Sequence, residues 1–280
     1  MELTKIRTQI KEKIVEAARS DLRVVGCLDY GSSSEGRGDK WSDLDIALFI
    51  QDANLEQFNQ EWESWAADLG PLLLAYIGGI GKPWAVYDAS PVPLRVDFNF
   101  HPQSHIDQIL TWPNAPVSLD KMVLYDDTSG RLSQIVSKIV GQSLAPDDLE
   151  RWFHSICGDL WVYLLRTHTK LMRGEQWTAR HDFNFVIMGN LMALLRIECG
   201  AVDRMRAESA AARIESVLSP ARLQQLNNTI PGSSKEDLSR SLQLAAILGA
   251  DVCRQIAATH QWTWPSDLAK KTISAVRKSS

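Results

Sequence analysis

Along the first 130 positions, segments whose hydrophobic residues have helical spacing alternate with short apolar runs. Ile6, Ile10 and Ile14 lie one helical turn apart, which predicts an amphipathic helix over residues 2–20. The same spacing predicts helices at 54–69 and from Ser104. Short apolar runs bounded by turn residues predict strands at 22–30, 43–50, 72–77, 84–87, 94–100 and 122–125. This alternation predicts an α/β (α+β) domain built on a mixed β-sheet.

From position 131 onward the apolar spacing is helical throughout. It predicts helices at 131–140, 146–172, 182–199, 208–218, 221–228 and 236–259, which Gly and Pro residues separate. The change of pattern at Gly130 predicts two domains, residues 1–130 with the sheet and residues 131–280 as an α-helical bundle. A chain of 280 residues is long enough for two such cores.

Charge divides at the same position. Residues 1–130 contain 11 Lys and Arg against 20 Asp and Glu, a net charge of −9, whereas residues 131–280 carry a net charge of +5. The acidic first part argues against a nucleic-acid partner. No uncharged run reaches the ~18 residues of a membrane helix, and the N-terminus lacks the apolar segment of a signal peptide. We therefore expect a cytoplasmic protein with no membrane partner.

Candidate chemistry is densest between two apolar runs, in the sequence DYGSSSEGRGDKWSDLDIALFI from Asp29 to Ile50. Asp43, Leu44 and Asp45 stand directly before the second apolar run, which begins at Ile46. Side chains two residues apart in a strand point to the same face, about 6.6 Å apart, so these carboxylates can lie side by side. One or two carboxylates plus substrate phosphates are a usual Mg²⁺ site. Alternatively, both are turn or exposed strand residues, although Asp is depleted in strands.

The tripeptide Gly31-Ser32-Ser33 follows the first apolar run. A glycine lets the backbone approach a phosphate closely, and successive N–H groups at a turn bind anions. The sequence therefore predicts a phosphate site next to the metal site, unless the tripeptide is merely a loop.

A third carboxylate is placed by the period of the strand at 94–100. Alternation directs Val96 and Phe98 to the core and leaves Arg95, Asp97 and Asn99 on the opposite face. Asp97 can thus line a cleft, or it is a surface residue paired with Arg95.

These residues resemble the signature of the polymerase-beta-like nucleotidyltransferase superfamily, which has Gly-Ser, a spacer and Asp-x-Asp at the head of a strand. The match here is Gly31-Ser32 followed by Ser42-Asp43-Leu44-Asp45, with Asp97 as the candidate for the carboxylate of a later strand. The run GSSSEGRGDKWSDLD looks most like the small-molecule antibiotic nucleotidyltransferases that act on lincosamides and aminoglycosides.

The resemblance implies a Mg²⁺-dependent enzyme that transfers a nucleoside monophosphate, AMP from ATP, to a hydroxyl of a small molecule such as a lincosamide or aminoglycoside. It implies that Asp43, Asp45 and Asp97 are catalytic and hold one or two Mg²⁺ ions, with Asp97 either a metal ligand or the general base. It implies an active site between the two domains. Nucleotide contacts are implied for Gly31, Ser32, Ser33 and Ser42.

A basic row in the second part bears on the same reaction. Arg166, Lys170 and Arg173 stand at i, i+4 and i+7, which places them along one side of a helix. Similar two-domain nucleotidyltransferases bring a basic residue from the helical domain to the triphosphate, which implies Lys170 as a nucleotide contact. A solvated charged face is the alternative.

Two other functions stay open at this stage. Relatives of the superfamily in toxin–antitoxin systems nucleotidylate tRNA or a protein, and a protein with an inactive site would be a nucleotide-binding regulator. The acidic first part argues against tRNA, and the three aspartates argue against an inactive site. The sequence does not determine the acceptor, the preferred nucleotide or the oligomeric state, for which a homodimer is one option.

Overall fold

The computed structural model describes residues 2–277, which form two compact units that divide after Ser143. The sequence pattern placed this division after Gly130. The difference concerns the helix Arg131–Ser137, whose side chains Leu132, Ile135 and Val136 are buried in a core of the first unit. Its apolar face therefore assigns this helix to the sheet and not to the bundle.

The first unit consists of a sheet and the helices around it. Its strands are β1 (Val24–Asp29), β2 (Leu44–Ile50), β3 (Leu72–Ile77), β4 (Pro83–Tyr87), β5 (Leu94–Pro102) and β6 (Val123–Asp126). Its α-helices are α1 (Leu3–Ser20), α2 (Leu55–Ala67), α3 (Leu119–Met122) and α4 (Arg131–Ser137). A 3-10 segment, Gln103–Thr111, lies between β5 and α3. Every predicted strand is present, with ends within two residues of those expected.

The strands form a mixed sheet in the order β3-β4-β5-β2-β1-β6. The central pair, β2 and β5, is parallel, and the other neighbours are antiparallel. This sheet, together with the helical second unit, confirms the predicted fold class.

Alternation along β2 divides its side chains between two cores. Leu44, Ile46 and Leu48 pack with the apolar faces of α1 and α2. Ala47 and Phe49 belong to the core on the opposite face, which α4 and the 3-10 segment cover. Asp45, in phase with Ala47 and Phe49, is directed to this second face at the start of the strand.

The second unit is helical. Its helices are α5 (Leu149–Met172), α6 (Gln176–Asp182), α7 (Met188–Glu198), α8 (Ile214–Val217), α9 (Pro220–Asn227), α10 (Lys235–His260) and α11 (Ser266–Arg277). The π-helical segment Phe183–Ile187 joins α6 to α7. Helix α5 begins three residues later than Pro146 suggested, because the Asp148 side chain accepts a hydrogen bond from the Arg151 N–H and caps the helix there. None of the described helices combines the length and apolar character that crossing a membrane requires.

One prediction for this unit is wrong, and one helix is unexpected. The helix expected at 208–218 is reduced to α8, because the buried guanidinium of Arg196 binds the carbonyl groups of Ala210 and Ala212, which a helix would have used internally. Helix α11 was not predicted. Its buried positions are Ala269, Thr272 and Val276.

Two tryptophans of the second unit offer a matched test of its packing. Trp161 is fully buried in the core, whereas Trp177 is 86% exposed. We expect Trp161→Ala to lower the free energy of unfolding by about 3–5 kcal/mol, because it leaves a large cavity. Trp177→Ala should change it by less than about 0.5 kcal/mol. Urea denaturation followed by circular dichroism measures both, and equal effects would contradict the burial of Trp161.

Candidate functional site

Three carboxylates meet where β2 and β5 begin. Asp45 and Asp97 lie opposite each other on these two parallel strands, and Asp43 precedes Asp45 by two residues. One carboxylate oxygen from each of the three residues lies within 4.8 Å of the other two. All three side chains are half-buried. The structure thus brings together the three aspartates that the sequence singled out.

The local sequence explains why these side chains share one face. Val96 and Phe98 are fully buried on the other face of β5, so the strand must direct Asp97 and Asn99 away from them. Leu44 and Ile46 hold β2 in the same way. Apolar burial on one side of the sheet therefore fixes the polar cluster on the other.

The cluster concentrates negative charge in a partly dry environment. Burial first, and then the charges of Asp43, Asp97 and Asp29, raise the pKa of Asp45 to about 7, while the charge of Arg95 opposes this rise. Burial also raises the pKa of Asp97, with Arg95 again opposing. Grouped carboxylates of this kind are stabilised by a cation.

The guanidinium of Arg95 contacts two of the three carboxylates. Its Nη2 donates a hydrogen bond to Asp43 Oδ2, and its Nε lies 2.8 Å from Asp97 Oδ1. The second contact is an ion pair without hydrogen-bond geometry, because Asp97 Oδ1 is buried and has no hydrogen-bond partner. Asp97 therefore keeps a buried oxygen with unused acceptor capacity.

The residues present fit a divalent metal ion. The candidate ligands are three hard carboxylate oxygens, the group that Mg²⁺ prefers, and Asp97 also has a buried oxygen, Oδ1, that accepts no hydrogen bond. Among residues 2–277, these aspartates form the one group of three or more His, Cys, Asp or Glu side chains that could hold a metal ion.

The predicted phosphate loop lies against the carboxylates. A Cβ atom on Gly31 would stand 2.2 Å from Asp45 Oδ2, so only glycine lets the Asp45 carboxylate lie there. The Gly31 carbonyl accepts hydrogen bonds from the N–H and the hydroxyl of Ser34, which close a tight turn. The sequence suggested glycine for the approach of a phosphate, and the structure adds the approach of a carboxylate.

The serines of the candidate nucleotide site lie at the two ends of this loop. The hydroxyls of Ser32 and Ser42 are 3.4 Å apart, and Ser42 Oγ accepts a hydrogen bond from the Asp39 N–H at 2.8 Å. Ser33 packs beside Gly38, where a Cβ atom would stand 2.8 Å from Ser33 Oγ. The assignment of Gly31, Ser32, Ser33 and Ser42 to nucleotide binding stays a prediction.

Sequence reasoning missed a buried ion pair beneath the loop. Asp29, which is 1% exposed, pairs with Lys11 Nζ at 2.7 Å and accepts a hydrogen bond from the Gly31 N–H at 3.1 Å. The position of Asp29, at the end of an apolar strand and directly before Gly31, was a signal. Nothing in the sequence marked Lys11, because its partner is contributed by another element.

A second missed feature is the pair Tyr30 and Asn99. Asn99 Nδ2 donates a hydrogen bond to the Tyr30 hydroxyl, and Asn114 Nδ2 donates to the Tyr30 carbonyl at 2.7 Å. Burial raises the pKa of Tyr30, and Asp45 is the largest of the charges that add to this rise. The strand period already placed Asn99 beside Asp97, but only the fold brings Tyr30 to it.

The basic row lies on α5 in the second unit. Lys170 Nζ is 2.6 Å from Glu175 Oε2, and Arg166 Nε is 2.7 Å from Asp182 Oδ2. These two cations therefore have carboxylate partners within their own unit. The nucleotide contact by Lys170 stays a prediction.

The raised pKa of Asp45 predicts how stability depends on pH. Between the ordinary Asp value of 3.8 and about 7, the folded chain retains a proton that the unfolded chain has lost, so stability falls as the pH rises through this range. Asp45→Asn removes the effect. We expect its unfolding temperature in EDTA to exceed that of the wild type by a margin that grows up to about pH 7. Parallel curves for the two proteins would contradict the assignment.

The close approach of Gly31 to Asp45 gives a second prediction. Gly31→Ala should lower the free energy of unfolding by about 1–3 kcal/mol, because the new methyl group overlaps the Asp45 carboxylate. Gly79→Ala is the matched control, since a Cβ atom there would have no neighbour within 4 Å. Chemical denaturation compares the two variants, and equal stability would show that Asp45 moves away freely.

Comparison with known proteins identifies a family. The sequence model of the streptomycin adenylyltransferase family matches residues 92–278, a region that includes Asp97 and begins after Asp43 and Asp45. Aminoglycoside 6-adenylyltransferase of Staphylococcus aureus is 24% identical over 188 residues. The alignment covers 63% of this chain and 63% of that relative, so less than two thirds of the relative's length is matched.

Two solved structures were also compared. An aminoglycoside 6-adenyltransferase from Bacillus subtilis aligns with a TM-score of 0.45 and 14% identity, over 97% of this chain and 96% of that one. A nucleotidyltransferase-like protein from Exiguobacterium sibiricum aligns with a TM-score of 0.35 and 8% identity, over 95% and 89%. The family match covers well over half of the chain and confirms the resemblance to antibiotic-modifying nucleotidyltransferases. This chain belongs to the streptomycin adenylyltransferase family.

Proposed function

We propose that this protein is a Mg²⁺-dependent adenylyltransferase that transfers AMP from ATP to a hydroxyl group of an aminoglycoside. The observation that carries the proposal is the cluster of Asp43, Asp45 and Asp97, with an oxygen of each within 4.8 Å of the others. Family membership and the S. aureus relative support the reaction and the class of acceptor.

The chain's residues have distinct tasks in this reaction. Asp43 and Asp45 would hold the metal, Asp97 would be either a third ligand or the general base, and Mg²⁺ would supply positive charge that offsets the charge of the phosphates. Gly31 lets the backbone approach the phosphates closely, and the backbone N–H groups of Ser32 and Ser33 together with the hydroxyls of Ser32 and Ser42 bind phosphate oxygens. Together they hold the α-phosphate so that the acceptor hydroxyl approaches opposite the leaving group.

The bonds and protons of the reaction balance as follows. The acceptor oxygen forms a bond to the α-phosphorus, and the bond from this phosphorus to the oxygen of the β-phosphate breaks. That oxygen keeps the electron pair and leaves with pyrophosphate. The hydroxyl proton passes to a carboxylate base, and Asp97 suits this task because burial raises its pKa and its Oδ1 accepts no hydrogen bond.

The charge of the chain favours an aminoglycoside acceptor over a nucleic acid. Residues 1–130 carry a net charge of −9. Aminoglycosides carry several ammonium groups, which an acidic surface attracts, whereas it repels a polyanion such as tRNA. A lincosamide, with fewer positive charges, would gain less from this attraction.

Incubation with ATP, Mg²⁺ and a panel of aminoglycosides and lincosamides, followed by mass spectrometry, tests the proposal. We expect an AMP adduct on at least one aminoglycoside and release of pyrophosphate. Asp43→Asn and Asp45→Asn should stay folded and lose at least about 100-fold in turnover, because a metal ligand supplies several kcal/mol in the transition state. Asp88→Asn, an exposed aspartate of the first unit, is the control and should keep its activity.

Several results would contradict this assignment. An adduct found on tRNA or protein, with none on the panel, would place the acceptor in another class. Near wild-type turnover of Asp43→Asn and Asp45→Asn would remove the metal site. For Asp97→Asn, unchanged metal affinity with lost turnover identifies a base, whereas lost metal affinity identifies a ligand.

A further inference from the structure

Arg95 lies against the three aspartates and has no task in the proposed reaction. Its guanidinium donates a hydrogen bond to Asp43 Oδ2 and lies 2.8 Å from Asp97 Oδ1. These carboxylates belong to the same group of three that could hold a metal ion. The positively charged Arg95 therefore contacts two carboxylates of the candidate metal site.

It is unfavourable for a guanidinium and a divalent ion to bind the same carboxylates at the same time. Two cations a few ångströms apart repel each other strongly where burial limits screening by water. Asp97 Oδ1 and Asp43 Oδ2 contact Arg95, so a metal that draws on these carboxylates competes with the guanidinium for them. Binding of the metal must therefore weaken the ion pairs of Arg95.

The side chain of Arg95 has room to move away. Its side chain is 55% exposed, whereas that of Asp97 is 15% exposed. An exposed arginine on a strand can change rotamers without disturbing the core, since Val96 and Leu94 anchor the backbone on either side. A planar guanidinium also binds phosphate oxygens with two parallel hydrogen bonds, which a lysine cannot do.

We propose that Arg95 and the divalent cation are alternative occupants of the Asp43 and Asp97 carboxylates, and that the displaced Arg95 contacts the phosphates of the bound nucleotide. This inference rests on the proposed function, because it assigns a task to Arg95 in the same site. Arg95 then stabilises the cluster before the metal enters and holds the triphosphate afterwards. It is a residue that exchanges one anionic partner for another.

The two tasks predict effects of opposite sign for a single substitution. In Arg95→Ala the competing cation is gone, so Mn²⁺ alone should bind about 10-fold more tightly than to the wild type. The phosphate contact is also gone. An ATP analogue with a methylene group between the α- and β-phosphates, which cannot be cleaved, should therefore bind about 10-fold more weakly at saturating Mg²⁺.

Lys82→Ala is the matched control, because it removes a positive charge that acts on the same site from a distance. Burial raises the pKa of Asp97, and the charges of Arg95 and Lys82 both oppose that rise. The loss of Lys82 therefore reports the through-space effect of one charge. Its effects on the binding of Mn²⁺ and of the analogue should be several-fold smaller than those of Arg95→Ala.

Electron paramagnetic resonance of Mn²⁺ and calorimetry with the analogue measure both affinities on the full chain. Tighter Mn²⁺ binding with weaker analogue binding in Arg95→Ala supports the proposal. Unchanged or weaker Mn²⁺ binding overturns the exchange, unchanged or tighter analogue binding overturns the phosphate contact, and equal effects of Lys82→Ala overturn the role of direct contact.

Binding of Mn²⁺ to the wild type shows whether a negative result concerns only the exchange by Arg95 or the proposed function as well. If the wild type binds Mn²⁺ and Asp43→Asn does not, the metal site stands, and only the result for Arg95→Ala bears on the exchange. If the wild type binds no Mn²⁺, both the metal site and the exchange are overturned.

Discussion

The parallel pairing of β2 with β5 is the constraint on which the candidate site depends. It sets Asp45 directly opposite Asp97, and the strand period brings Asp43 to the same face. A shift of the register by one residue would turn Val96 or Phe98 toward the carboxylates and Asp97 into the core. The buried apolar side chains between the sheet and helices α1 and α2 therefore determine the position of the acidic cluster.

The loop at residues 31–33, which follows β1, packs against this cluster but does not determine its position. Gly31 lies so close to Asp45 that no side chain fits, and the buried Asp29 holds the Gly31 N–H while it pairs with Lys11 of α1. The loop is thereby tied to the sheet and to a helix. A site that binds phosphate next to a metal needs this kind of rigid support, because both partners must meet within a few tenths of an ångström.

Electrostatics gives the cluster its chemical character. Burial is the main cause that raises the pKa of Asp45 to about 7, and the neighbouring carboxylates add to it. The positive charge of Arg95 offsets part of their repulsion. Such an arrangement costs stability, which a protein retains where the charges have a use. Membership of the streptomycin adenylyltransferase family agrees with a use in nucleotidyl transfer.

The sequence by itself determined the sheet-forming strands, the second helical unit and the grouping of Asp43, Asp45 and Asp97, because each follows from a local period of apolar residues or from a compact motif. Tertiary structure decided what depends on distant partners. Arg196 prevents the helix predicted at 208–218 by binding two carbonyl groups, and α4 joins the sheet because its apolar face fits a core there. Lys11, Tyr30 and the contact of Arg95 with Asp43 acquire their roles only when separate elements meet, since no short sequence pattern encodes a contact across the fold.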